Sequence, residues 1–318
     1  MKAIWLENKT LSVQEDLPIP VAADDEAFIR LRMGGICSTD LEMVKGYYPF
    51  RGVLGHEFVG EVVEAAQKPE LVGKRVVGEI TLCCGECEAC LNGRTSHCEN
   101  RRTLGLLGKD GVFAEYLTLP IQNLHIVPDT LPDEQAVFTE LLAAALEIQQ
   151  EVQIKPADRV VVVGAGRLGL LIAQCLNLTG CDLSVVVRRS QPAILLEKWG
   201  IKAVYAQDLP KHKADLVVEV TGSAEGFALS RSLVRPRGTL LLKSTFAGEM
   251  SLNLSSIVVD EIKVVGSRCG PFAPALRLLE QGKIDVHSLI NAKYSLSEGM
   301  EAFDEAAKPG MLKVLLTP

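Results

Sequence analysis

The chain has 318 residues, of which 47% are hydrophobic, and it carries a formal net charge of −7. This length is enough for two domains, at about 100–200 residues per domain. The acidic balance argues against an extended nucleic-acid or other polyanionic partner. No apolar run reaches the ~18 residues that a membrane span requires, and Met1–Thr10 alternates like a strand rather than a leader peptide. We therefore expect a cytoplasmic protein without a membrane or nucleic-acid partner.

The first part of the chain has the pattern of short strands separated by glycine and proline, with little helical periodicity. The predicted strands include Ala27–Met33, Glu57–Val63, Arg75–Gly78 and Val112–Leu119. The pattern changes at Pro128–Leu131. Pro132 then opens a predicted helix that continues through Leu141 and Ala145, with acidic residues in its first turn.

Short, continuously apolar strands alternate with helical segments in the second part. These strands are Val160–Val163, Leu183–Val187, Ala203–Tyr205, Leu216–Val220, Thr239–Leu242 and Lys263–Val265. Strands buried on both faces have this composition, so we predict a parallel, doubly wound sheet. The tail is predicted as two helices, Pro271–Glu280 and Ser297–Ala307, and a final strand, Lys313–Leu316. The predicted divisions are 1–128, 129–270 and 271–318.

A GxGxxG motif stands between the first of these strands and an amphipathic helix. Gly164 permits the tight turn, Gly166 lets the backbone approach a pyrophosphate, and Gly169 lets the helix pack closely on the sheet. The helix N-terminus, with Arg167 and Leu168, offers free N–H groups to phosphate. In this strand and helix context the motif predicts a dinucleotide site rather than a structural turn.

The end of the next strand distinguishes NAD from NADP. An acidic residue is expected there to bind the ribose 2′-hydroxyl, but the sequence has Arg188, Arg189 and Ser190. Paired guanidinium groups would bind a 2′-phosphate, so we predict NADP(H) rather than a solvated arginine pair. Thr221, just after the fourth strand, is also expected to contact the cofactor.

Five of the nine cysteines lie between Cys83 and Cys98. Cys84, Cys87, Cys90 and Cys98 form a CxxCxxCx7C pattern, whose thiolates can close a tetrahedral shell around one zinc ion. Because a closed shell has no position for a substrate, the predicted role is structural. Iron–sulfur ligation is the alternative, since such clusters also use CxxCxxC runs.

Two further fragments contain possible ligands of a catalytic metal. One is Gly35–Asp40, with Cys37 and Thr39, and the other is Gly55–Gly60, with His56 and Glu57. A thiolate, an imidazole and a carboxylate are all competent zinc ligands, and a catalytic zinc uses three protein ligands with one open position.

Together these motifs resemble the medium-chain, zinc-dependent alcohol and polyol dehydrogenases over nearly the whole chain. The GHE motif, the Cys-x-Thr-Asp motif, the four-cysteine lobe, the GxGxxG and the terminal helix and strand occur in the family's order. The resemblance implies an α/β protein with a GroES-like, β-rich catalytic domain built from both chain ends and an inserted Rossmann domain.

The resemblance also implies roles for particular residues. Cys37 and His56 would ligate the catalytic zinc, Glu57 would ligate it or swing onto it, and Thr39 would relay the substrate proton. Glu140 matches the glutamate found at the metal in the sorbitol-dehydrogenase-like branch, so it favours polyol-type substrates. Whether Glu57 or Glu140 is the third ligand stays open at this point. Relatives often have a histidine just beyond the Thr-Asp pair, where this chain has Leu41–Met43.

The expected function is hydride transfer between NADP(H) and an alcohol, a polyol or its carbonyl counterpart, with one catalytic and one structural zinc ion per chain. The small-molecule substrate is not specified further, and a homodimer or homotetramer is expected. A sugar dehydrogenase of the glucose type and a non-catalytic NADPH-binding protein on this scaffold remain alternatives. A zinc-free quinone or enoyl reductase is disfavoured, because such proteins lack Cys37, His56 and the cysteine lobe.

Overall fold

The computed structural model describes residues 1–245 and 252–318, and the chain divides into two compact units. The first unit is Met1–Glu140 with Phe272–Pro318, and the second is Leu141–Pro271. The sequence-based divisions after residues 128 and 270 stay a prediction. None of the helices in the described ranges is long and apolar enough to span a bilayer.

The first unit is rich in β-structure. Its strands are β1 (Ala3–Glu7), β2 (Thr10–Gln14), β3 (Glu26–Ile36), β4 (Gly52–Val53), β5 (Glu57–Ala65), β6 (Arg75–Gly78), β7 (Thr81–Leu82), β8 (Arg102–Leu104), β9 (Gly108–Lys109), β10 (Tyr116–Pro120), β11 (Leu124–Ile126), β18 (Ile290–Ser295) and β19 (Lys313–Thr317). Its helices are α1 (Ser38–Lys45), α2 (Glu88–Leu91), α3 (Asp133–Ala136), α10 (Phe272–Glu280) and α11 (Gly299–Ala307).

One sheet joins the two ends of the chain and carries most of the first unit's core. Its strand order is β11-β6-β5-β3-β19-β18, and β10 also pairs with β3. The last strand, β19, is antiparallel to β3, with Leu315 opposite Gly35, and β5 places Glu57 opposite Gly35 on the other side. A row of three strands therefore brings the C-terminal segment beside two of the predicted site fragments.

The predicted strand at Val112–Leu119 is wrong in its first half. Regular pairing with β3 starts only at Tyr116, in β10. Before it, Val112 and Phe113 donate backbone hydrogen bonds to Gly55 and Leu54, and the Phe113 side chain is fully buried. This segment leaves the sheet because its apolar side chains fill the core against the loop before His56.

The second unit contains a parallel sheet. Its strands are β12 (Arg159–Val163), β13 (Asp182–Val186), β14 (Lys202–Val204), β15 (Ala214–Glu219), β16 (Val234–Leu242) and β17 (Lys263–Gly266). Its helices are α5 (Ile148–Glu151), α6 (Arg167–Asn177), α7 (Ser190–Lys198), α8 (Ala224–Leu233) and α9 (Leu254–Val259), while α4 (Thr139–Leu146) contains the boundary between the units.

The order of this sheet is β14-β13-β12-β15-β16-β17, and every pairing is parallel. In sequence order this is 3-2-1-4-5-6, which is the arrangement of doubly wound dinucleotide-binding sheets. The predicted sheet is therefore confirmed, and its switch point lies between β12 and β15.

The predicted continuous helix from Pro132 through Ala145 is wrong. The structure has α3, a turn at Val137 and Phe138, and then α4. The Thr139 hydroxyl donates to the Ala136 carbonyl at 2.6 Å, which takes that acceptor out of the helical ladder. The apolar periodicity continues through the break because both segments face a core, and so the sequence pattern did not reveal it.

Candidate metal centre and cofactor site

Three of the predicted ligands meet in the first unit. Cys37 follows β3 and caps helix α1, while His56 and Glu57 stand at the start of β5. One ligand atom from each of the three lies within 4.8 Å of the others, and all three residues are buried. Thr39, in the first turn of α1, is half-buried and places its Oγ1 3.8 Å from Cys37 Sγ.

Asp40 positions two of these ligands, a role that the sequence analysis missed. Its Oδ2 accepts the backbone N–H of Cys37 at 2.8 Å, which closes a capping box at the start of α1. Its Oδ1 lies 3.2 Å from His56 Nδ1, although the two atoms are not aligned as a hydrogen bond. The available signal was an acidic residue at the third position of a helix that begins at the predicted ligand.

The charges around His56 favour a cation at this place. Burial by itself lowers the pKa of His56, but the Asp40 carboxylate, followed by Cys37, outweighs that effect and raises the pKa well above the ordinary histidine value. Asp40 is completely buried and His56 is almost so, hence this attraction is weakly screened by solvent. A metal cation bound by the same side chains would meet the same field.

Lys313, at the start of β19, is a second residue that the sequence analysis did not identify. Its ammonium donates to Glu57 Oε2, and both side chains are buried, at 1% and 0% exposed. Gly35 lies beneath this contact, because a Cβ there would stand 2.7 Å from Glu57 Oε2. No sequence signal marked Lys313, since a lysine opening a terminal strand is ordinarily exposed.

The donor set of Cys37, His56 and Glu57 fits zinc, which takes sulfur, imidazole nitrogen and carboxylate oxygen ligands. Glu57 Oε1 is buried and has no hydrogen-bond partner among the described residues, so one carboxylate oxygen is left for such an ion. Glu140 is half-buried on α4 and is not part of the three-residue group. Its predicted place at the metal therefore stays a prediction.

The four predicted lobe cysteines also converge. Sγ atoms of Cys84, Cys87, Cys90 and Cys98 lie within 4.8 Å of one another, with Cys84 and Cys98 3.5 Å apart. Backbone N–H groups of Glu86 and Cys87 stabilise the thiolate of Cys84 and lower its pKa to about 6. Four thiols converging at one point, one of them readily ionised, fit a closed four-sulfur metal shell.

The glycine motif in the second unit has the expected local geometry. Gly164 has a φ of +118°, and a Cβ on Gly169 would lie 1.9 Å from the Gly164 carbonyl oxygen. At Gly166, which caps α6, a Cβ would meet nothing within 4 Å. The open space at the helix N-terminus is where a pyrophosphate would be accommodated.

The other predicted cofactor residues lie at the carboxyl edge of the same sheet. Arg188, Arg189 and Ser190 follow β13 and are exposed. Thr221 follows β15, and its backbone N–H and hydroxyl both donate to the buried carboxylate of Glu219, at 2.6 and 2.5 Å. Glu219 also accepts from Ser244 at 2.9 Å, so it orders two loops at this edge. Their contacts with a cofactor stay a prediction.

Comparison with known proteins gives matches along the chain. Residues 23–129 match the model of the alcohol dehydrogenase GroES-like domain, and residues 168–281 match that of the zinc-binding dehydrogenases. A sorbitol dehydrogenase of Halalkalibacterium halodurans is 32% identical, over 96% of this chain and 95% of its own length. A D-arabitol-phosphate dehydrogenase of Enterococcus avium is 31% identical, over 95% of this chain and 92% of its own length.

A solved structure shows the same fold over the full length. It is a protein of Sinorhizobium meliloti, crystallised with NADP, which is 30% identical and superposes with a TM-score of 0.91 over 100% of this chain and 99% of its own. The predicted GroES-like and Rossmann architecture is thus confirmed. The chain belongs to the family of zinc-dependent medium-chain alcohol and polyol dehydrogenases.

Proposed function

We propose that this protein oxidises polyol-type secondary alcohols, or reduces the corresponding ketones, with NADP(H) and a catalytic zinc ion. The observation that carries the proposal is the buried group of Cys37, His56 and Glu57 in a family of zinc-dependent dehydrogenases. A non-catalytic scaffold protein would have no need to keep a thiol, an imidazole and a carboxylate together away from water.

Cys37 and His56 would hold the zinc, with Glu57 or Glu140 as the third ligand. His56 turns Nδ1 toward Asp40, which leaves Nε2 for the metal. Zinc bound there would supply Lewis acidity at the substrate oxygen. Thr39 Oγ1 would take the hydroxyl proton of the alcohol and pass its own proton outward. Thr39 is half-exposed, so the proton that it releases would pass to solvent rather than to the histidine that relatives often have beyond the Thr-Asp pair.

NADP(H) would bind along the carboxyl edge of the parallel sheet and supply the hydride chemistry. The pyrophosphate would lie at Gly164, Gly166 and Gly169, and the 2′-phosphate at Arg188 and Arg189. The exposed arginine pair and the NADP-containing relative support this choice over NAD. Arg167, Leu168, Ser190 and Thr221 complete the proposed cofactor residues.

Polyols are the proposed substrate class. Two curated relatives at just over 30% identity act on a polyol and on a polyol phosphate, according to their names. Glu140, which matches the glutamate of the sorbitol-dehydrogenase-like branch, supports the same choice. A sugar of the glucose type is the second candidate, because it presents the same vicinal hydroxyl groups.

We further propose two zinc ions per chain and a reducing, cytoplasmic location. The cysteine lobe offers a four-sulfur shell separate from the Cys37 group, which gives the count of two. Cys37 and the four lobe cysteines are free thiols, as both zinc sites require and as a reducing compartment maintains.

The proposed assembly is a homodimer in which β17 of one copy pairs with β17 of the other. Either this dimer is the whole assembly, or two such dimers form a homotetramer. Val264 on this edge strand is 47% exposed, and the adjoining helix α9 exposes Val258 and Val259 by 73% and 78%. An edge strand at the end of a sheet has unpaired backbone groups that invite pairing, and two-fold symmetry lets the same edge serve both copies.

The test is metal analysis combined with a substrate panel. Purified protein should contain two zinc ions per chain and oxidise polyols with NADP+ faster than simple alcohols or sugars. Cys37→Ser and His56→Ala should abolish turnover while circular dichroism stays unchanged. Cys181→Ser, a half-buried thiol of the second unit, is the matched control and should retain activity. Turnover that survives complete zinc removal would refute the proposal.

A further inference from the structure

Glu57 lies between two positively charged partners, the proposed zinc and Lys313. Lys313 is two residues before Leu315, which pairs with Gly35, so its side chain is on the same face of the sheet as that of Glu57. Gly35 between them has no side chain, and the carboxylate of Glu57 crosses that gap to reach the ammonium.

The environment of Lys313 fixes this contact. Lys313 is 1% exposed, and its Nζ also stands 5.3 Å from the centre of the Phe138 ring, a cation–π distance. A buried ammonium without a counterion is strongly disfavoured. Glu57 is the anion that satisfies it, so the lysine holds Oε2 whether or not a metal is present.

The two oxygens of Glu57 therefore have different roles. Oε2 accepts from Lys313, while Oε1 is buried and has no hydrogen-bond partner in the part of the chain that the structure describes. A carboxylate that shares its charge with an ammonium is a weaker metal ligand than a free one. The metal is left with Oε1 of a carboxylate whose charge the buried ammonium of Lys313 already balances.

We infer that Lys313 is a positioning residue that keeps Glu57 an exchangeable ligand of the catalytic zinc. Without the lysine, Glu57 would bind the metal permanently and occupy the position that the substrate needs. This inference rests on the proposed zinc site and goes beyond it, because it assigns the C-terminal strand β19 a part in ligand exchange.

The test measures metal binding rather than turnover alone. Zinc release to a chelator should be at least tenfold slower from Lys313→Met than from wild-type protein, and the visible spectrum of the cobalt-substituted variant should change. Lys313→Arg should release zinc at the wild-type rate and show the wild-type cobalt spectrum, because it keeps the buried cation. The release phase of this site is identified as the one that Cys37→Ser removes.

Two further variants separate the inference from simpler explanations. Lys293 is a lysine of the neighbouring strand β18 whose ammonium pairs with Glu134. Lys293→Met should leave zinc release and the cobalt spectrum unchanged. In a Glu57→Gln background, Lys313→Met should change neither zinc release nor the cobalt spectrum, because no carboxylate is left for the lysine to hold. If the lysine acted only by repelling zinc, Lys313→Met would slow zinc release in this background too. If Lys313→Met alone does not fold, Lys313→Gln takes its place and should also slow release, because its side-chain amide can still donate to Glu57 Oε2 but carries no positive charge.

The possible results distinguish the two levels of argument. If wild-type protein has no zinc-release phase that Cys37→Ser removes, the proposed function fails. If that phase is present but Lys313→Met leaves release and spectrum unchanged or makes release faster, the inference about Lys313 is overturned. The inference also fails if Lys313→Met changes the rate of zinc release by the same factor in the Glu57→Gln background as in wild-type protein.

Discussion

At the scale of single residues, the candidate site is built from two buried carboxylates, each with one oxygen held by a hydrogen bond. Asp40 accepts from the Cys37 backbone with one oxygen and faces His56 with the other, and Glu57 accepts from Lys313 with one oxygen and keeps the other in the group with Cys37 and His56. A buried carboxylate with one satisfied oxygen is fixed in orientation, which leaves its second oxygen aimed at a definite point. The geometry of the metal group is thereby set before any ion binds.

Cofactor choice is the prediction that belongs to this scale. Arg188→Asp together with Arg189→Ala should raise the Kd of NADP+ at least ~10-fold, or ~1.4 kcal/mol, because a carboxylate would repel the 2′-phosphate. The Kd of NAD+ should fall, because the new aspartate can accept from the ribose 2′-hydroxyl. Fluorescence titration of both nucleotides measures the two constants.

The control for the arginine pair is a substitution of a positive by a negative side chain elsewhere in the second unit. Lys202 is exposed at the amino end of β14, on the opposite edge from the cofactor. Lys202→Asp should leave both affinities unchanged. If the ratio of the Kd of NADP+ to the Kd of NAD+ is unaltered in the double variant, the arginines are solvated surface residues.

At the scale of elements, polar contacts tie distant strands of the first unit together. Lys109 on β9 donates to Glu26 at 2.7 Å and to Thr118 at 2.8 Å, which joins β9 to the start of β3 and to β10. Burial raises the pKa of Glu26, but the hydrogen bond and charge of Lys109 outweigh it, so the pKa lies below its ordinary value.

This contact makes a pH-dependent contribution to stability. A lowered folded-state pKa means that the stabilisation is present above the unfolded-state pKa, near ~4.3, and is lost as the pH falls through the folded-state value. Glu26→Gln should cost about 1 kcal/mol of unfolding free energy at pH 7. That difference should begin to shrink near pH ~4.3 and approach zero only below the lowered folded-state pKa, where both proteins lack the charge.

Urea denaturation of wild type and variant across this pH range is the measurement. Glu70→Gln changes an exposed carboxylate of the same unit and should give a difference near zero throughout. A cost of Glu26→Gln that is independent of pH would mean that packing, not charge, holds these strands.

The cysteine lobe is the second element with a separable role. Cys90→Ser should lower the zinc content by one ion per chain and expose the lobe to trypsin at Arg94, whose side chain is already 61% exposed. The zinc at Cys37 should remain. Metal analysis and limited proteolysis follow both effects, and Cys83→Ser, which alters the neighbouring thiol outside the four, is the control. Equal damage in both variants would contradict the assigned set of four.

At the scale of the whole molecule, the proposed dimer assigns assembly to the exposed edge of the second unit. Val259→Lys should convert the dimer to a monomer or a weaker dimer, because it buries a charge against its own symmetry copy. Light scattering over a concentration series measures the mass. Leu178→Lys changes an exposed apolar residue elsewhere on this unit and should leave the mass unchanged. A monomeric wild-type protein would refute the assembly.

The sequence by itself determined the fold class, the dinucleotide motif and the cysteine lobe. Each of these is a local pattern: apolar strands in alternation with helices, glycines at fixed offsets, and cysteines a few residues apart. The grouping of Cys37 with His56 and Glu57 came from the family resemblance, and the structure places the three side chains together. The tertiary structure decided what depends on residues far apart in the chain. The ion pair of Lys313 with Glu57 joins positions separated by 256 residues, and it exists because β19 pairs with β3. Asp40 could be assigned to His56 only once β3, α1 and β5 were placed together. Likewise, the departure of Val112 and Phe113 from their predicted strand follows from core packing, which local periodicity does not encode.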